Sequence, residues 1–445
     1  MLKKLAKVLL IMLCFQIHMC YAIPGKLVEI KDNIGTVDYF GEKRKVLMDS
    51  EAQAGDYVYA QGGVVISKIA EQDALKILDF WKEKFFELKK VDNQLAKIED
   101  LEASDNLLEI LQKVNLRKEL NNNELLNLLR LKDKNELKLL YETANNLRQK
   151  EHDNACCVHG IIEFSNNCRR NCFYCGIRKD NNIKRYRMSA EEIISLAKHA
   201  VDNLGFKALV LQSGEDLSYT DEELVKVVKT IRKLGVLIFI SIGTRKKELY
   251  KKLYDAGARA VLLRFETSNK ELFKKVRPET NFEERIELIK YAKKIGYLIA
   301  TGFIMGIPEE TEQDIINNII LTKALKADMY SFGPLIPAKN TPLENQKQID
   351  INSVLKVISL CRFMDVRSKI LVTSAVETLH EDAKKQGLLA GANSLMINLT
   401  PHCYKELYSI YSGRPDKDIT VKKNIKETIK LLYSLGRAPT DIGHT

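Results

Sequence analysis

From Val158 onward the chain repeats an apolar run, a break and an amphipathic stretch, and this repetition limits its fold more than any other feature. The runs are VHGIIEF, KALVLQ, VLIFIS, RAVLLRF, YLIATGFIM, DMYSFG, KILVTS and NSLMIN, separated from one another by plausible helices or turns. Strands that alternate with helices build a parallel sheet coated by helices. Eight of them favour an α/β architecture, a (β/α)8 TIM-type barrel. An open, doubly wound sheet is the main alternative. No G-x-G-x-x-G follows a strand and no G-x-x-x-x-G-K loop occurs, so any nucleotide must be held by another device.

A chain of 445 residues is too long for one ordinary domain. Residues 23–70 carry short β-rich runs, KLVEI, GTVDYF, KRKVLM and AGDYVYAQGGVVISKI, broken by Gly and Asp. They predict a small all-β, OB-like barrel. From Glu71 to about Lys90 the apolar period becomes 3.6, as in ALKILDFWKEKFFELKK, which predicts a closing amphipathic helix. Helical pattern continues to residue 150 with a break at Asn121–Asn123. The expected division is residues 1–18, 19–95, 96–150 as a helical connector, and 151–445 as the large barrel. Residues 1–18 place Lys3, Lys4 and Lys7 before an apolar run from Val8 to Phe15, which is signal-like but too short to span a bilayer. They read as a vestigial segment or an overlong start.

Composition excludes several classes. Hydrophobic residues are 45% and charged residues 29%, as in a soluble globular protein. The net charge of +11 is spread over interspersed lysines, and no basic stretch is interleaved with aromatic residues. Neither nucleic-acid binding nor a membrane role is therefore expected.

Three of the 9 cysteines crowd into one segment, Cys168-Arg-Arg-Asn-Cys172-Phe-Tyr-Cys175, directly after the first run of the repeat. That points to a metal centre in a reducing compartment, hence a cytoplasmic protein, rather than to disulfides. Three thiolates bind three irons of a [4Fe-4S] cubane and leave the fourth iron open. The open iron can chelate the amino and carboxylate groups of S-adenosyl-L-methionine (SAM) and deliver an electron to its sulfonium, giving a 5′-deoxyadenosyl radical. C-x-x-x-C-x-x-C with an aromatic residue before the last Cys is the radical SAM signature. Other strand ends supply polar groups: Gln212-Ser213-Gly214-Glu215-Asp216, then Arg264 and Glu266, then Thr373 and Ser374. Arg264 and Glu266 alternate along a strand and so share a face. They are the candidate catalytic pair, against the alternative of a structural ion pair. Cys156, Cys157, Cys361 and Cys403 read as packed thiols.

From about Asp105 to the C-terminus the chain resembles the FeFe-hydrogenase maturase (HydE) family of radical SAM enzymes, itself close to biotin synthase and methylornithine synthase. The matching runs include IIEFSNNCRRNCFYCGIRKDN, KRYRMS, LVLQSGED, LLRFETSN, RPETNFEERI, GPLIPAKNTPL and GANSLMINLTP with KELYSIYSG. The resemblance implies a SAM site formed by Tyr174, Ser241, Glu266, Arg285 and Ile336. It implies a substrate cavity lined by Gln212, Ser213, Arg264, Met329, Thr373, Ser374, Met396, Tyr408 and Tyr411. The implied substrate is a cysteine-bound iron carbonyl cyanide fragment, attacked at sulfur to give a precursor of the hydrogenase two-iron subcluster. Implied partners are other hydrogenase maturation proteins and an electron donor such as ferredoxin or flavodoxin. Some members carry late cysteines for an accessory cluster. Here the last is Cys403, which predicts one cluster only.

The segment Met19-Cys20-Tyr-Ala-Ile-Pro24-Gly25-Lys26 and the runs after it resemble the small hydrogenase-formation chaperone (HypC) family. There a Cys directly after the initiator Met binds an iron dicyano-carbonyl unit. The resemblance implies translation from Met19 and an iron-fragment ligand at Cys20. Gln61 departs from the pattern, since family members often have His there, and a barrel kept only for docking is the alternative. For the whole chain the competing functions are a radical SAM mutase or synthase acting on an amino acid, and a non-catalytic iron scaffold.

Overall fold

The computed structural model describes residues 21–442; Met19 and Cys20 lie outside the described residues. Five short strands come first: β1 (Gly25–Lys31), β2 (Ile34–Tyr39), β3 (Glu42–Leu47), β4 (Tyr57–Gln61) and β5 (Val64–Ile69). They close into a barrel in the order β1-β2-β3-β5-β4. Helix α1 (Glu71–Leu95) follows and buries Trp81, Phe85 and Leu88 against that barrel.

The large barrel strands are β6 (Ala155–Ser165), β7 (Ala208–Ser213), β8 (Leu237–Ser241), β9 (Ala260–Leu262) and β10 (Leu298–Thr301). After them come β11 (Ile304–Met305), β12 (Met329–Tyr330), β13 (Gly333–Pro334), β14 (Lys369–Ile370), β15 (Ser394–Asn398) and β16 (Ala438–Pro439). Parallel pairing runs β14-β12-β10-β9-β8-β7-β6-β15, and a parallel bridge from Leu371 to Ser394 joins the two edge strands into a ring. Each of the eight apolar runs thus supplies one strand of a (β/α)8 barrel. Along β6, Val158, Ile162 and Phe164 pack toward the helices, while Ile161 and Glu163 face the axis. Several helix starts are written in the sequence: Ser189, Thr220 and Thr311 each accept from the third helical residue, whose acid reaches back to the cap nitrogen.

The expected connector does not connect two separate bodies. Helices α2 (Asp105–Asn115), α3 (Asn122–Arg130) and α4 (Lys134–His152) clothe the large barrel. Lys356 Nζ donates to the carbonyl of Leu129 at 2.5 Å, and Arg130 pairs with Glu312 at 2.6 Å. The small barrel caps the N-terminal ends of the large barrel's strands. Ile66 of β5 enters one apolar cluster with Ala208, Leu237, Phe239 and Leu298. Gly62, at φ +56° in the β4–β5 turn, comes so close that a Cβ would lie 2.9 Å from Leu298 Cδ1. Asp49 accepts from Arg232 and Arg259 at 3.0 and 3.1 Å. A fully buried ion group completes the junction: Asp92 of α1 receives two hydrogen bonds of 2.8 Å from Arg148 of α4, and Arg437 Nε lies 2.9 Å from it as an ion pair. Removing one partner of such a group costs about 3–5 kcal/mol. Among the described residues no helix is long and apolar enough to cross a membrane.

Candidate active site

The loop after β6 is held by its own side chains. Arg185 donates to the carbonyls of Asn166, Ile177, Arg178 and Asn181 at 2.6–2.9 Å. Asn166 donates to Lys184 and Leu407 at 2.9 and 2.8 Å. This cage turns Cys168, Cys172 and Cys175 toward one cavity of about 210 Å³ at the C-terminal mouth of the barrel. Cys168 Sγ accepts backbone N–H bonds from Arg170 and Glu215, both 3.4 Å, which favours its thiolate. Burial pushes the Cys168 and Cys175 thiols up, so metal binding has to displace protons. At Gly214 a Cβ would sit 2.2 Å from Asn167 O and 2.8 Å from Cys168 Cβ. Only glycine lets this loop pass so close to the cysteines.

The adjoining wall is ionic and almost dry. Arg277 lies 3.5 Å from Glu266 and 3.9 Å from Glu215, while Arg285 lies 3.7 Å from each. All four side chains are at most 7% exposed. Burial acts to raise the Glu215 carboxyl, but Arg285, Arg170 and the N–H of Thr244 outweigh it and hold it low. Arg277 also donates to Tyr174 Oη at 2.7 Å. Glu266 has a left-handed backbone, φ 73°, a strained state for a residue with a side chain. Its Oε2 is buried with no hydrogen-bond partner among the described residues, 3.6 Å from Arg264 Nε.

Behind this cavity lies a second one of about 130 Å³, reached past Gln212, Leu262, Arg264 and Ile410, which line both. Its polar wall contains Glu163, which receives Arg414 at 2.9 Å and Asn398 at 2.9 Å. It also contains Lys384, 3.0 Å from Glu377. Ser374 and Tyr411 share a 2.6 Å hydrogen bond at the boundary.

Tyr174, Ser241, Glu266, Arg285 and Ile336 all line the mouth cavity, as do Gln212, Ser213, Arg264, Tyr408 and Tyr411. Thr373, Ser374 and Met396 line the inner one with Gln212 and Arg264. Met329 does neither: it is 2% exposed and packed in the apolar cluster beneath both cavities. Its side chain does face the axis, but it is the first residue of its strand and sits too low. Arg277, Glu163 and Arg414 were not singled out from sequence. Arg277 lies within the run RPETNFEERI, and nothing in its spacing marks it as a partner of Glu215 and Glu266. Cys156, Cys157 and Cys361 are buried; Cys403, expected to be packed, is exposed on the short helix His402–Lys405.

The chain matches the Radical SAM superfamily over residues 162–319, the Biotin and Thiamin Synthesis associated domain over 331–438 and the HupF/HypC family over 19–81. It is 39% identical over 335 residues to the [FeFe] hydrogenase maturase subunit HydE of Thermotoga maritima, covering 74% of this chain and 95% of that protein. The chain belongs to the HydE family of radical SAM enzymes. This HydE-family chain is also 32% identical to 3-methylornithine synthase of Methanosarcina acetivorans, over 72% of its own length and 91% of that enzyme's. The crystal structure of methylornithine synthase (PylB) superposes with TM-score 0.66 at 28% identity, covering 74% of this chain and 97% of that one. HydG, a maturase of the [FeFe]-hydrogenase, shares the fold at TM-score 0.63 and 18% identity over 80% and 78% of the two chains.

The family implies a [4Fe-4S] cluster and SAM, and the donor set fits both. Three sulfurs share one wall, a glycine cradle lies beside them, and a buried carboxylate oxygen without a hydrogen-bond partner among the described residues faces the same space.

Proposed function

We propose that this chain matures the [FeFe]-hydrogenase cofactor by radical chemistry on a cysteine-bound iron carbonyl cyanide fragment. Cys168, Cys172 and Cys175 would hold the cluster, and Tyr174, Ser241, Glu266, Arg285 and Ile336 would hold SAM. When bound, the pair supplies a 5′-deoxyadenosyl radical through one-electron cleavage of the sulfonium. The carboxylate of Glu266 accepts from a ribose hydroxyl or the ammonium group. Arg285 stays charged beside Glu215 and Glu266, and the dry wall excludes water from the radical. Arg264 stands between the two cavities, where its guanidinium fork suits the carboxylate or the anionic iron fragment of a substrate. Gln212, Ser213, Thr373, Ser374, Met396, Tyr408 and Tyr411 would surround that substrate.

The observation carrying this reading is the second, charged cavity behind the cysteine wall, joined to it at Arg264. Likeness to 3-methylornithine synthase favours a second reading, an amino-acid substrate held by Glu163 and Arg414. One experiment separates them: SAM cleavage by the reconstituted protein given either an iron carbonyl cyanide cysteine complex or lysine. Faster cleavage with the iron complex is expected. Faster cleavage with lysine transfers the chain to the amino-acid reading.

We further propose that residues 19–95 are a chaperone-derived module, 96–150 its helical link in sequence and 151–445 the catalytic barrel, working in the cytoplasm. Partners are hydrogenase maturation proteins and a ferredoxin- or flavodoxin-type donor. Cys20 would capture the iron fragment at low supply. The barrel axis above the module is packed with apolar side chains, so the fragment travels around the barrel rather than along its axis. At limiting fragment, Cys20→Ala should lower product yield while leaving SAM cleavage at saturation unchanged. Equal yields would leave the module as a docking device.

A further inference from the structure

The floor of the large barrel carries a second group of side chains able to ligate a metal, at the opposite end of β6 from the cysteine loop. Cys157 and His159 alternate on β6, and Asp441 comes from the C-terminal segment after β16. All three are buried, and one ligand atom from each lies within 4.8 Å of the other two. His159 Nε2 is 3.4 Å from Asp441 Oδ2. In a tetrahedral site with bonds of about 2.0–2.3 Å, donor atoms lie about 3.3–3.8 Å apart. The pair already meets that spacing, and Cys157 needs to move by about 1 Å at most.

Two buried polar atoms here lack a partner. Ser394 Oγ has no hydrogen bond among the described residues, and neither has His159 Nδ1, the ring nitrogen other than the one nearest Asp441. Ser394 is the register partner of Cys157 on β15, so both side chains leave the same side of the sheet. A protein core rarely tolerates such orphans. The oxygen of Asp441 nearest His159, Oδ2, is fixed by two bonds, from the backbone N–H of Val158 at 2.9 Å and the hydroxyl of Thr440 at 3.0 Å. That is the outer support which orients a ligating carboxylate. A second group, His402, Glu406 and Asp418, is wholly exposed.

We propose that Cys157, His159 and Asp441 bind a divalent transition-metal ion of borderline softness, Fe²⁺ or Zn²⁺, beneath the small barrel. Thiolate, imidazole and carboxylate are the donors such ions select. The two anionic ligands partly offset the charge of a dication and of the buried Lys369 that acts on Cys157 and His159. The ion fastens the C-terminal segment to the first barrel strand, directly where Cys157 joins the apolar cluster of Tyr21, Phe85 and Ala438. The packed thiol expected at Cys157 thereby becomes a ligand.

The test uses the full chain carrying Cys168→Ala, Cys172→Ala and Cys175→Ala, so that no cluster iron obscures the reading. It is produced in Co²⁺-supplemented medium and purified without oxygen. About one cobalt per chain is expected, with thiolate-to-cobalt charge-transfer absorption. Adding Cys157→Ser should abolish that band. His159→Gln or Asp441→Asn should lower bound cobalt at least about tenfold, the scale reached by outer-shell partners alone. Cys20→Ala and His402→Gln should change neither quantity. Melting curves establish that each variant is folded. A folded parent without cobalt overturns the proposal, as does cobalt lost with Cys20→Ala or His402→Gln but kept with Cys157→Ser.

Discussion

The two ends of the large barrel are built from opposite kinds of residue. At the C-terminal mouth, two arginines and two glutamates crowd a cavity, Glu266 sits at φ 73°, and one of its oxygens has no hydrogen-bond partner among the described residues. At the base, Ile66, Leu237, Phe239 and Leu298 are each at most 5% exposed and fill the axis. The mouth holds buried charge and a strained backbone at Glu266; the base supplies the packing that tolerates them. In barrels of this kind the loops can therefore carry chemistry while the strands' opposite ends carry stability. The small barrel belongs to the second part, because its Ile66 is part of the floor.

The sharpest way to break this division is at the floor. Ile66→Ala removes the plug and should cost about 2–5 kcal/mol in denaturant unfolding. SAM cleavage measured well below the melting temperature should stay unchanged. A parallel loss of cleavage would mean that base and mouth are coupled, and the contrast would fail.

A smaller effect is expected at the junction of the two cavities. Arg264→Lys keeps the charge but loses the fork, and it should lower substrate turnover about tenfold, or about 1.4 kcal/mol. Iron content and unfolding midpoint should match the unaltered protein. Normal turnover would return Arg264 and Glu266 to a structural ion pair.

The barrel was legible because each of its strands is an apolar run bounded by helix starts such as Ser189 and Thr220. The cysteine loop was legible because its ligands are local. What escaped were relations set by height and by long separations. Met329, which the family resemblance implied for the substrate cavity, is the first residue of β12 and lies too low, in the apolar cluster, to reach it. Glu215, Glu266, Arg277 and Arg285 meet only because the loops after β7 and β9 converge with the end of helix Lys270–Val276 and the start of helix Phe282–Ile295. The small barrel's role as a floor was hidden for the same reason, since Ile66 looks like any strand residue until Leu237 and Leu298 are beside it. Cys157 and Asp441 are separated by almost the whole barrel and meet only when the C-terminal segment pairs with β6.

The central claim is that Cys168, Cys172 and Cys175 hold the only cluster and that it cleaves SAM. Iron content and 5′-deoxyadenosine formation after anaerobic reconstitution test this directly, comparing the full chain with its triple Cys168→Ala, Cys172→Ala, Cys175→Ala variant. The account predicts about four cluster irons per chain and SAM-dependent 5′-deoxyadenosine in the first, and loss of both in the second. A triple variant that still assembles about four irons, or still cleaves SAM, would contradict it.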